Sequence, residues 1–185
     1  MIKPAWTWLA AVPILAALIY SFERQEAGES LQTEEVAVLP RYTLTDADLV
    51  RYNSDGDMVL RGKASSIEYF DDDSRHAADL DADLLSDSEV RWHLTSPTAT
   101  EPQKDRRILL EDKVVAKGQW PDSEEPLTAT TSRVWVDPET RQFETSEPVA
   151  VDSEDRKGTA IGMRVDWQEH RLQLLRSVKM TYAAP

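Results

Sequence analysis

An all-β fold is what this chain predicts, and three features of the sequence point to it. First, three stretches share one pattern of apolar pairs: Ile108/Leu110 then Val114/Ala116, Phe143/Thr145 then Val149/Val151, and Leu172/Leu174 then Val178/Met180. Side chains on a strand alternate between two faces, so such pairs lay one apolar row on one side. The interruptions between the pairs (Glu111–Lys113, Ser146–Pro148 and Leu175–Ser177) read as corners where a strand bends from one sheet towards another. Second, runs of period two follow one another between clusters of turn residues, giving roughly a dozen short strands. Third, no stretch from Tyr42 onward carries the apolar period of an amphipathic helix. Together these predict a β sandwich, roll or partly open barrel.

In chain order, Val50 and Tyr52 lead into Asn53-Ser54-Asp55-Gly56-Asp57, a strong turn signal, and Met58, Leu60 and Ala64 then alternate towards Ile67 and Tyr69. Asp71-Asp72-Asp73-Ser74 marks the next turn. Ala78, Leu80, Ala82 and Leu84 alternate with aspartates, and Val90, Trp92 and Leu94 alternate with Arg91, His93 and Thr95. Pro97, Pro102, Trp120-Pro121, Pro126 and Asp137-Pro138 mark further turns, with runs at Leu127–Val136 and Ile161–Val165 between them. Within the first run the apolar parity shifts from Leu127/Ala129 to Val134/Val136, which predicts a bulge.

The N-terminus has a different character. Residues Ala5–Phe22 carry no charge and, at about 1.5 Å per helical residue, approach the ~30 Å of a bilayer core. Trp6 and Trp8 at one end and Tyr20 at the other suit the two interfacial belts, and Pro13 predicts a kink. Lys3 precedes the segment while Glu23 and Glu26 follow it, an orientation that keeps the N-terminus cytoplasmic and exports the rest. A cleaved signal peptide fits less well: the apolar run is long for one, a single lysine precedes it, and no A-x-A site follows. The expected organisation is a transmembrane anchor at residues 1–22, an acidic polar tether at 23–41 and a β-domain at 42–185.

Charge and composition exclude several functions. With no cysteine, the chain has no disulfide, thiol nucleophile or zinc–thiolate site. Its net charge of −13 opposes nucleic-acid binding, which needs a basic footprint. No G-x-S-x-G, H-E-x-x-H, G-x-x-x-x-G-K or G-x-G-x-x-G motif occurs. His76, His93 and His170 are scattered among polar residues and read as solvated side chains. Asp79, Asp81 and Asp83 open like a calcium loop, but Leu84 and Val90 stand where its glycine and glutamate belong, so they read as the solvent face of a strand. Asp71–Asp73 reads as a turn. The chain predicts no enzyme, metal or cofactor.

The apolar interior remains. Its inward positions are often small (Ala64, Ala78, Ala82, Ala116), which admits two readings: an ordinary packed core, or an interior that opens along an edge to accept an acyl chain. A terminal strand left unpaired would also offer an edge for strand addition by a partner.

Over nearly its full length the chain resembles the LptC family, membrane-anchored periplasmic subunits of the lipopolysaccharide export machinery of Gram-negative bacteria. The resemblance rests on the single anchor, on Tyr52-Asn53-Ser54-Asp55-Gly56 leading to Ile67-Glu68-Tyr69, on Trp92-His93-Leu94, on Ile108–Val115, and on the closing run Gly158–Tyr182 with Leu172-Gln173-Leu174 and Val178-Lys179-Met180-Thr181-Tyr182. It implies a twisted, slightly open β-jellyroll of bent antiparallel strands behind one transmembrane helix. It also implies a non-enzymatic relay that takes lipopolysaccharide from an inner-membrane ABC transporter (subunits LptF and LptG) and passes it along a hydrophobic groove to the periplasmic bridge protein LptA.

By position, the resemblance implies a groove lined by Val50, Leu60, Ile67, Ala78, Leu80, Trp92, Leu110, Val134, Phe143, Val149, Leu174 and Met180. The last strand, with Val178, Lys179, Thr181 and Tyr182, would meet the bridge protein. The first, with Ala47 and Tyr52, would face the transporter. For so acidic a chain, an anionic lipid is expected to be held by its acyl chains, with phosphates and sugars left in water. The competing reading is an anchored β-domain that docks envelope partners through strand edges and carries no lipid.

Overall fold

The computed structural model describes residues 39–183. Nine strands form one sheet: β1 (Tyr42–Tyr52), β2 (Met58–Tyr69), β3 (Arg75–Ser86), β4 (Glu89–Glu101), β5 (Ile108–Gln119), β6 (Pro126–Asp137), β7 (Gln142–Ser153), β8 (Arg156–Asp166) and β9 (Arg171–Tyr182). The all-β expectation holds, and there is no helix among the described residues. Trp6, Trp8, Pro13, Tyr20 and most of the expected tether lie outside them.

Each strand pairs antiparallel with its chain neighbours, so the sheet runs β1 to β9 in sequence order, with β1 and β9 as its two edges. This is a meander, in which hairpins make every connection; the Greek-key crossovers of a strict jellyroll are absent among the described strands. The strands are also fewer and longer than the sequence predicts, from 11 residues in β1 to 13 in β4. The reason is a break near the middle of each strand, which makes one long strand read as two short ones.

The breaks line up across the sheet. Register is interrupted at Asp112–Lys113 in β5, Ser146–Glu147 in β7 and Ser177–Val178 in β9, at the corners the repeat predicts. Asp46, Asp79, Asp112 and Ser177 take left-handed backbone there, and Gly162 supplies the same conformation in β8. Pro97, expected in a turn, lies inside β4 at this line, where a missing N–H costs no ladder bond. Carbonyls released by the breaks find buried hydroxyls. Ser96 Oγ lies 2.8 Å from the carbonyl oxygens of both Thr98 and Glu111, sharing its one proton between them. Thr131 Oγ1 donates to the Pro148 carbonyl at 2.9 Å. These polar residues sit on the apolar parity because the bends require them.

Bending along this line folds the sheet over, so that strands distant in order meet across the interior. Trp92 of β4 packs on Phe143 of β7. Trp167, just after β8, donates its indole N–H to the Leu85 carbonyl of β3 at 3.1 Å. The β1–β2 turn meets the β6–β7 turn through Arg141 Nη2 and Asp57 Oδ2, 2.6 Å apart, and through the Ser54 N–H on Glu139. One continuous core runs from Leu60 in β2 to Trp167.

Candidate functional site

The interior differs between its two regions. Around β4, β7 and β8 it is closed: Trp92, Phe143 and Trp167 pack in succession, the first pair edge to face and the second tilted, with ring centres 5.1 Å and 6.3 Å apart. Phe143 and Trp167 are wholly shielded from solvent, and the Trp92 ring lies directly over Gly118. Beside β1 the interior opens. A cleft of about 280 Å³ lies between β1–β2 and the facing halves of β3, β4 and β5. Leu49, Leu60, Ile67, Ala77, Leu80, Ala99 and Ile108 form its apolar wall.

The cleft opens here because the strands that meet across the interior are offset in sheet order. Among the described residues no strand covers the outer side of β1; Tyr42 and Leu44 are exposed and Leu49 is only partly buried. At the mouth, Arg51 Nη1 and Arg75 Nη1 each lie 3.1 Å from the same oxygen, Glu101 Oε2. Arg75 and Glu101 face each other in the β3–β4 register, whereas Arg51 reaches them from β1 across the interior. Arg51 Nη2 also donates to the Arg106 carbonyl at 3.1 Å, and the Arg75 guanidinium lies 5.2 Å from the centre of the Tyr69 ring. Asp48, of the opposite parity, borders the cleft at its exposed lip and lies 3.9 Å from Lys63, its partner across the β1–β2 ladder.

Among the expected groove residues, Leu60, Ile67 and Leu80 line this cleft and are buried. Trp92, Leu110, Val134, Phe143 and Val149 are buried in the core but not in the cleft wall, while Leu174 and Met180 pack partly buried against the core's rim. Val50 also borders the cleft, but at its lip and 53% exposed, while Leu49 takes the inward place. The inward row of β1 is Ala47, Leu49 and Arg51, and the charge of Arg51 disguised that parity. One position is corrected. Ala78 falls off the inward row because the left-handed Asp79 (φ 51°) breaks the side-chain alternation of β3 while its pairing register is kept, so Ala77 faces the core instead. Among the expected edge residues, Tyr52, Val178, Lys179, Thr181 and Tyr182 are exposed and Ala47 is half-buried. Val178 stands in the bulge of β9 rather than on an inward row. Sequence reasoning missed Leu49, Ala77, Ala99, Arg51, Arg75 and Glu101; of the cleft wall outside the expected set, only Ile108 carried a signal, as a member of the repeat.

The histidine and aspartate readings change in detail. His93 is not merely solvated: its Nδ1 lies 3.0 Å from Asp83 Oδ1 and its Nε2 3.6 Å from Asp81. Burial pushes the Asp83 carboxyl up, but hydrogen bonding with His93 and Arg61 outweighs this and holds it below its ordinary value. Asp79 and Asp81 are exposed on the outer face. A second recess, about 440 Å³, opens near the β8–β9 turn, and its largely polar wall (Arg91, Gln119, Asp122, His170, Arg171) is a poor match for acyl chains.

The family model LptC, described as lipopolysaccharide-assembly, LptC-related, matches residues 9–183. No curated protein matches the chain. Among solved structures, the chain is similar to LptH from Pseudomonas aeruginosa, described as the LptA homologous periplasmic component of the conserved lipopolysaccharide transport device. The two share 12% identity with a TM-score of 0.51, covering 68% of this chain and 95% of that one, a likeness of fold.

Proposed function

Because the chain belongs to the LptC family of lipopolysaccharide-assembly proteins, we propose that its β-domain works in the periplasm as a non-enzymatic lipopolysaccharide relay, tethered to the inner membrane by residues 1–22. It accepts the lipid from the LptF–LptG transporter beside β1 and hands it on to a bridge protein of the LptA type at β9. The observation that carries this reading is the apolar cleft beside β1, continuous with the core and open at the edge of the sheet formed by the described strands. An acyl chain entering it would exchange water for Leu49, Ile67, Ala77 and Ile108, at about 25 cal/mol per Å² of apolar surface buried. A cleft of this size takes part of a lipid at a time, which suits a carrier that must also release it.

A docking module is the second reading. Leu175, Val178 and Tyr182 on β9 are exposed, and the closed core around Phe143 leaves no passage there. The test is a photocrosslinking amino acid at Leu49 or Ile108, with outward Asp81 as control, in living Gram-negative cells. Lipopolysaccharide adducts at the cleft positions but not at Asp81 are expected. Adducts at none of them, with the protein folded, would leave the docking module.

A further inference from the structure

The geometry points to a phosphate-binding subsite at the mouth of the cleft, formed by Arg51 and Arg75, for the headgroup of a phosphorylated, acylated amphiphile. This rests on the relay reading and goes against the expectation that so acidic a chain leaves lipid phosphates in water. Two guanidinia converge on a single carboxylate oxygen, Glu101 Oε2, each at 3.1 Å. Asp48, which also borders the cleft, lies 3.9 Å from Lys63, so Glu101 is left against two guanidinia and the mouth keeps a local cationic excess on a chain of net charge −13. That excess sits where the apolar wall meets solvent, so a ligand with its tail against Ile67 and Ile108 would place its head beside it.

Guanidinium forks match phosphate oxygens at least as well as carboxylate oxygens, and a dianion satisfies two forks where one carboxylate cannot. Glu101 ends β4 and is followed by a loop, so it can yield its place to a phosphate without breaking the ladder. Arg75 is held over Tyr69 and Arg51 by the Arg106 carbonyl, which keeps both guanidinia in position when the carboxylate leaves. Glu101 thus occupies the subsite in the absence of lipid.

A plain clasp holding β1 to the opposite layer would predict otherwise. The full chain, purified in dodecyl maltoside, would be offered lipid A and phosphatase-treated lipid A, with bound fractions read by native mass spectrometry. The wild type should favour the phosphorylated form by about tenfold, as a charge-assisted contact implies. R51Q/R75Q should bind the two forms equally, and E101Q should widen the preference by removing the competing carboxylate. R75Q alone guards against misfolding, because Arg75 and Glu101 are neighbours in one ladder and its loss does not release β1; it should cut the preference severalfold. A preference that survives in R75Q, or one that narrows in E101Q, overturns the subsite. Competition by inorganic phosphate alone at the lipid's own concentration would make it a free-phosphate site instead and also overturn it. Equal binding of both lipids by the wild type sinks the subsite but leaves the relay, whereas binding of neither sinks the relay itself.

Discussion

Phe143 meets the Trp92 ring edge-on, with ring centres 5.1 Å apart and planes at 79°, and so joins β7 to β4 across the folded sheet. The pair closes the interior on the side away from β1. Truncation to F143A removes an aromatic ring from a site with no solvent exposure. It should cost about 3–5 kcal/mol, measured by urea unfolding of the full chain in detergent. A cost below about 1 kcal/mol would mean the two layers do not pack there.

Gly118 tests the same packing from the opposite direction. A Cβ at this position would lie 2.6 Å from a carbon of the Trp92 ring, which Phe143 holds in place from its edge. G118A should destabilise by about 1–3 kcal/mol. At Gly158 a Cβ would meet the Met180 side chain and, at 2.9 Å, the Lys179 carbonyl oxygen of β9, so G158A should also lower the melting temperature by forcing β8 and β9 apart.

Trp167 is fully buried, and its indole donates to the Leu85 carbonyl at 3.1 Å. W167F keeps most of the apolar volume but leaves that carbonyl without its donor. The expected loss is about 1–3 kcal/mol, and hydrogen exchange at the β3–β4 turn should quicken. Unchanged exchange would show that the bond does not hold the turn.

Asp105, in the loop between β4 and β5, accepts hydrogen bonds from the Arg107 side chain and backbone N–H, which hold its carboxyl down to about 2. Because the folded value lies below the unfolded one of about 3.9, this contribution is fully present above pH ~4 and is lost as pH falls towards 2. An NMR titration of the Asp105 side chain should have its midpoint near 2 in the wild type and return towards the ordinary aspartate value in R107Q. A midpoint near 4 in both would refute the pairing.

Val178 and Tyr182 are exposed on the edge strand β9, at 46% and 67%. V178D/Y182D should shift stability by less than about 0.5 kcal/mol, as surface substitutions do. If β9 is the edge that receives the bridge protein, the double variant should lose co-purification with it while keeping its melting temperature. Retained co-purification would move the docking site elsewhere.

Where the chain was legible, it was because the signal is local. The turn at Asn53–Asp57 shows in adjacent residues, with the Asp55 and Asp57 N–H groups donating to Asn53 Oδ1 at 3.1 and 2.8 Å. The repeat located the breaks in β5, β7 and β9 because a bend needs polar residues on an otherwise apolar row. Parity failed where one residue broke it: Arg51 hid the inward row of β1, and left-handed Asp79 displaced Ala78 in favour of Ala77.

Alternation of side chains and turn chemistry act over a few residues, so the sequence by itself determined an all-β chain of bent strands with an apolar interior. Which interior residues are sealed and which line an opening was decided only in the tertiary structure. Trp92 and Phe143 lie on separate strands with the same apolar signature as Leu60 and Ile67, yet the first pair closes the core and the second lines the cleft. The difference arises from the offset with which the folded sheet covers itself, a relation between strands far apart in the chain. The convergence of Arg51 and Arg75 on Glu101 has the same origin, since Arg51 meets its partners only when β1 is laid across the opposite layer.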